Sequence, residues 1–78
     1  MKVHLRLAGP LRLPPEGREL EWEGRKGTRV GTILARALGY SRKELGFVQV
    51  LSGGRTLRLD EPLDSDGELL VMLRLGGG

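Results

Sequence analysis

Hydrophobic and polar residues alternate strictly at the start of the chain, with Val3, Leu5 and Leu7 set against Lys2, His4 and Arg6. A period of two places the apolar three on one face of a strand and the charged three on the other. Residues 8–17, AGPLRLPPEG, end that pattern, because Pro10, Pro14 and Pro15 bring no amide to a central ladder. Alternation returns in RELEWE, residues 18–23, with Leu20 and Trp22 inward and three glutamates outward. The two runs and their turn-rich connection predict a hairpin.

The period then changes. Val30, Ile33, Leu34, Ala37 and Leu38 fall at i, i+3, i+4, i+7 and i+8, one stripe of a helix. Thr28 is placed to cap its start and Gly39 to end it. Gly31 weakens an isolated helix by roughly 1 kcal/mol relative to alanine, so this one is expected to lean on a sheet. GFVQVL reads as a third strand, and Gly53-Gly54 turn it into a fourth, RTLRLD. EPLDSDG reads as a turn, and ELLVMLRL as the last strand, the most apolar and therefore central. Arg42 and Lys43 read as a solvated loop after the helix. The order is β-β-α-β-β-β, an α+β chain with one helix on one sheet face.

The polar positions set the register, since neighbouring side chains in a strand face opposite ways. With Gln49 outward, Val48 and Val50 lie beneath the helix, and Phe47 and Leu51 share the outer face. With Arg74 outward, Leu69, Val71, Leu73 and Leu75 point inward, and Leu70 and Met72 join Arg74. If the two strands are neighbours, Phe47, Leu51, Leu70 and Met72 make an apolar patch on the face away from the helix. Such a cluster suits a partner. The proline-rich connection or a second copy of the chain are the alternative covers.

Composition narrows the chemistry. A chain of 78 residues is one small domain whose core is marginal. It has no cysteine, which removes disulfides, thiolate metal sites, iron–sulfur clusters and cysteine nucleophiles together. No apolar run approaches the ~20 residues of a membrane span and no signal peptide opens the sequence, so a cytoplasmic location and no membrane partner are expected. The net charge of +3 comes from 13 basic and 10 acidic residues, interspersed. That mildly basic surface suits an acidic groove. Phe47, Trp22 and Tyr40 are too few for the stacking platform of a single-strand binder, which argues against nucleic acid. His4, alone on a polar strand face, reads as a solvated surface group. Lys2, Lys26 and Lys43 are the three lysines, and nothing in the sequence marks them as acceptors in chain building.

The closing segment carries a resemblance. Pro62-Leu63, Asp66-Gly67-Glu68, the apolar run from Leu69 to Leu75 and the final Gly77-Gly78 follow the order typical of bacterial sulfur carriers of the MoaD/ThiS family. ELLVMLRLGGG is also similar to the tail of ubiquitin, and the element order resembles the ubiquitin-like β-grasp fold over nearly the whole chain. The motif match is confined to residues 57–78. The sequence departs from the family in its third glycine, Gly76, and in one extra residue between Pro-Leu and Asp-Gly.

The resemblance implies a single β-grasp domain over residues 1–75 and a flexible glycine tail over residues 76–78. It implies that Gly78 is the acyl group, adenylated and then converted to a thiocarboxylate, with Gly77 as its spacer. Glycine suits such a tail because a Cβ would clash where the backbone nears a nucleotide. The chemistry would belong to an E1-like adenylating enzyme of the MoeB/ThiF type, which uses ATP, so the chain itself is expected to bind no cofactor and to be no enzyme. A sulfur-accepting enzyme such as the large subunit of molybdopterin synthase would be the second partner. Length favours the molybdopterin role over that of the shorter thiamine carriers. Phe47, Leu51, Leu70, Met72, Arg74 and Gly76 are the expected partner contacts. The rival reading is a ubiquitin-like modifier or adaptor that works through its sheet surface without adenylation. A small RNA-binding protein using the arginines is a further rival.

Overall fold

The computed structural model describes residues 1–74. Its elements are β1 (Lys2–Leu7), β2 (Glu19–Glu23), β3 (Thr28–Arg29), α1 (Val30–Leu38), α2 (Arg42–Leu45), β4 (Val48–Ser52), β5 (Arg55–Leu57), β6 (Pro62–Leu63) and β7 (Gly67–Leu73). Five strands form a mixed sheet in the order β2-β1-β7-β4-β5, and β3 pairs with β6 in a separate two-stranded ribbon. The last strand is the middle one. It runs parallel to β1 and antiparallel to β4.

Alternation puts one face of this sheet under α1. Val3, Leu5 and Leu7 from β1, Leu69 and Val71 from β7, and Val48 and Val50 from β4 are buried with Val30, Ile33, Leu34 and Leu38 of the helix. Leu20 and Trp22 pack half-buried at the edge of this core. The Trp22 ring lies over Gly24, where a Cβ would overlap it. The β4–β5 hairpin turns through Gly53 and Gly54, both at positive φ (57° and 80°), as a two-residue turn between twisted strands requires. Gly39 ends α1 in the left-handed conformation, with its N–H donating to the Ala35 carbonyl.

The start of α1 differs from the expectation. Arg29, not Thr28, occupies the N-cap, and its side chain makes no capping bond. Thr28 belongs to β3, opposite Leu63, and its hydroxyl donates to the Arg25 carbonyl at 2.7 Å. Backbone does the capping. The N–H of Val30 donates to the Glu61 carbonyl at 3.0 Å and that of Gly31 to the Leu59 carbonyl at 2.7 Å. Two of the amides that a helix leaves unpaired at its start are thereby satisfied. The same contacts explain why the fourth strand stops at Leu57: residues 58–61 turn away to meet the helix.

Two further elements were not expected from the sequence. Pro62-Leu63, read as turn, forms the β6 rung against β3. Arg42 and Lys43, read as loop, lie in α2, which is nucleated by a capping box. The Glu44 N–H donates to the Ser41 hydroxyl and the Ser41 N–H donates to the Glu44 carboxylate. No helix among the described residues is long and apolar enough to cross a membrane.

Candidate functional site

The outer face of the sheet, away from α1, is built by the rungs around β7. Leu51 of β4 sits opposite Leu70, and Gln49 opposite Met72. On the other side of β7, Arg6 is level with Leu70 and His4 with Glu68. Beyond the last rung the Arg74 N–H donates to the Phe47 carbonyl at 2.9 Å, which sets Phe47 beside Arg74. The register therefore places Phe47, Leu51, Leu70, Met72 and Arg74 on one continuous surface. Phe47 is 59% exposed, Arg74 is exposed, and Leu51, Leu70 and Met72 are half-buried.

This face has two halves. Around β4 and β7 it is apolar, edged by Gln49 and Thr56, whose side chains meet at 3.4 Å. Around β1 and β2 it is charged, with Lys2 opposite Glu23, His4 opposite Glu21 and Arg6 opposite Glu19. His4 is not simply solvated: its Nε2 lies 2.9 Å from Glu19 Oε1. That hydrogen bond, followed by the charge of Arg6, holds the Glu19 carboxyl below the usual carboxylate range.

The proline-rich connection borders the apolar half without covering it. Pro10 reaches the end of β7, where a recess of about 100 Å³ lies between Ala8, Gly9, Pro10, Met72 and Leu73. A second recess, about 200 Å³, opens between Leu11, Tyr40, Phe47 and Leu73. The rest of the connection turns to the helix side. Leu11 packs on the core, Pro14 is buried, and the Tyr40 hydroxyl donates to the Arg12 carbonyl at 2.6 Å. Arg12 clamps this arrangement. Its guanidinium donates to both carboxylate oxygens of Glu44 at 2.7 and 3.0 Å and to the Gly39 carbonyl at 2.9 Å. It also lies 5.3 Å from the Tyr40 ring centroid. The Arg12 contact, with the Ser41 N–H behind it, takes the Glu44 carboxyl down to about 2.

The Asp66-Gly67-Glu68 motif has a structural task. Asp66 Oδ1 accepts the Lys2 N–H at 2.9 Å, fixing the start of β1 against the start of β7. A Cβ at Gly67 would meet nothing within 4 Å, so no close approach requires glycine there. Among the described residues no group of three or more His, Asp or Glu side chains could hold a metal ion. What this face offers is contact surface. Leu75 and the three tail glycines, Gly76, Gly77 and Gly78, lie outside the described residues.

No family model matches the sequence, and no curated protein matches it. Solved structures do match in fold. SAMP1 from Haloferax volcanii superposes with a TM-score of 0.72 at 18% identity, over 100% of both chains. The ubiquitin of Caldiarchaeum subterraneum superposes with a TM-score of 0.67 at 21% identity, over 100% of this chain and 98% of that one. The fold is thus the ubiquitin-like β-grasp, a mixed sheet grasping one main helix.

Proposed function

We propose that this chain is a sulfur carrier of the MoaD/ThiS type, acting in molybdopterin synthesis. The carrying observation is the position of β7. The central strand ends at Leu73, Arg74 follows beside the exposed Phe47, and the next residues in sequence are Leu75-Gly76-Gly77-Gly78. A partner that grips the apolar half of the outer face has the start of the tail within its footprint. In the proposed reaction an E1-like enzyme binds ATP, and the Gly78 carboxylate attacks its α-phosphate, releasing pyrophosphate. A persulfide sulfur on a partner then displaces AMP from the acyl-adenylate, and reduction of the resulting disulfide by a thiol frees the thiocarboxylate. A sulfur-accepting enzyme, such as a molybdopterin synthase large subunit, takes the sulfur from there.

The test is the intact mass of the full chain after incubation with ATP, a cognate E1-like enzyme, a persulfide donor and a thiol. Exchange of one C-terminal oxygen for sulfur is expected. Deleting Gly78 should lower the exchange sharply while the fold stays intact, read from the amide NMR spectrum of residues 1–74. An unaltered mass with every cognate E1 candidate, or full transfer after removal of Gly77 and Gly78, sinks the assignment. The apolar outer face also favours a second reading, a ubiquitin-like modifier or adaptor. An isopeptide adduct to a partner lysine, or tight binding by that face without any ATP-dependent change, would select it.

A further inference from the structure

On the helix side, the opposite side from the outer sheet face, lies a recess of about 610 Å³. Its walls are α1, α2 and the turn after β5, and Ala35, Leu45 and Leu59 give it an apolar lining. Arg29, Arg36 and Arg42 stand around it. All three are exposed, and none makes a side-chain hydrogen bond or ion pair to another described residue. The arginines elsewhere are largely engaged, with Glu19 (Arg6), Glu44 (Arg12), backbone carbonyls (Arg18), Glu61 (Arg55) and Asp60 (Arg58). The one acid on the rim, Asp60, is already held by Arg58 at 3.0 Å.

Arg36 and Arg42 stand in the last turns of α1 and α2, where the helix dipole favours a cation, but nothing local accounts for Arg29. Arg29 is the N-cap of α1, the end where the helix dipole disfavours a cation, and the first turn holds no acidic residue to offset it. Arg29, just before the first helical residue, and Arg36, in the last turn of α1, both border the recess. Three unmatched guanidinium groups around an apolar floor complement carboxylates on a chain that also carries apolar side chains. The floor does not suit nucleobases. Tyr40, the one aromatic residue of the recess, is 5% exposed and its ring is already taken by Arg12.

We infer that this helix-side recess is a docking site for an acidic peptide segment of a partner protein, with leucine-like side chains on the floor and carboxylates on Arg29, Arg36 and Arg42. The recess is lined by residues between Arg29 and Asp60, and a partner on the outer face leaves it accessible.

The test is an NMR titration of the isotope-labelled full chain with the synthetic peptide EDLDDLED. Saturable shifts are expected at Thr32, Ala35, Arg36, Arg42 and Leu45, with affinity falling as salt rises. Arg36→Ala combined with Arg42→Ala should weaken binding by about tenfold or more. Arg29→Glu should weaken binding while leaving the melting temperature equal or higher, because it replaces an unfavourable charge at the start of α1. The proposal is overturned if the shifts fall on the outer sheet face, or if EDSDDSED binds as well as the leucine peptide. It is equally overturned if Arg29→Glu binds unchanged, or if single-stranded oligouridine binds this face more tightly than the peptide.

Discussion

Gly31 is a residue at which two local preferences conflict, and the conflict shows what the fold requires. A helix interior favours alanine over glycine by about 1 kcal/mol. Here, however, a Cβ would stand 3.1 Å from the Leu59 carbonyl oxygen and 3.4 Å from its Cβ. That same carbonyl accepts the Gly31 N–H at 2.7 Å. The obstacle is backbone, and moving it lengthens this bond and loosens the neighbouring one from Val30 to Glu61. Crowding of a backbone carbonyl and weakening of two hydrogen bonds, each worth about 1 kcal/mol, outweigh a gain in propensity that is small at the second residue of the helix. Gly31→Ala is therefore expected to lower the stability by about 1 kcal/mol, measured by urea unfolding. A variant more stable than the parent would show that the Leu59 turn yields.

At the scale of elements, the pattern of the sequence predicts what depends on a repeated period and misses what depends on a single rung or turn. β1, α1, β4 and β7 each repeat their period long enough to reveal both type and register, and Gln49 and Arg74 suffice to orient two strands. Residues 28–29 and 62–63 form only two rungs, too short for alternation to register. The Thr28 cap fails because its competitor is a distant backbone carbonyl, which no local motif announces. The helical turn of α2, read as loop, has a local signal that this reading misses: Ser41-Arg42-Lys43-Glu44 has the spacing of a capping box. Of the candidate site, the outer face could be read from alternation, while the arginine recess joins residues from three elements and needs the fold. The same capping glutamate ties the proline-rich connection to α2 through Arg12. Because its carboxyl is depressed to about 2, the stability contributed by the Arg12–Glu44 link is full above the ordinary carboxylate value, near 4.5, and is lost as pH falls from there through about 2, where the link itself breaks. An NMR pH titration should place the Glu44 midpoint near 2. Arg12→Gln should raise that midpoint, stopping short of the ordinary value because the Ser41 N–H still donates. A midpoint unmoved by Arg12→Gln would mean that the clamp does not form in solution.

At the scale of the whole molecule, one sheet separates two surfaces of different chemistry. The helix side carries unmatched arginines around an apolar recess. The outer side carries an apolar half at the exit of the central strand and a charged half in which His4 and Arg6 meet Glu19. Charges matched within the chain contribute little to recruiting a partner, since breaking them offsets what a new contact would gain. The apolar half is therefore the part of the outer face that should matter for an activating enzyme, and Phe47 is its most exposed member. Its carbonyl accepts the Arg74 N–H, so Phe47 stands beside the last described residue of the chain. Exposed as it is, the side chain contributes little to the core, and Phe47→Asp should leave the melting temperature nearly unchanged. A central aromatic anchor lost from an interface weakens binding by about 2 kcal/mol, or about 30-fold. If the proposed function holds, Phe47→Asp is thus expected to raise KM in ATP–pyrophosphate exchange with the E1-like enzyme by about that factor with kcat nearly constant, the signature of a lost binding contact. Arg36→Ala with Arg42→Ala, on the other side of the sheet, should leave both constants unchanged. A fall in kcat alone for Phe47→Asp would place the ring in the chemical step, and kcat and KM both unchanged would remove the outer face from the interface.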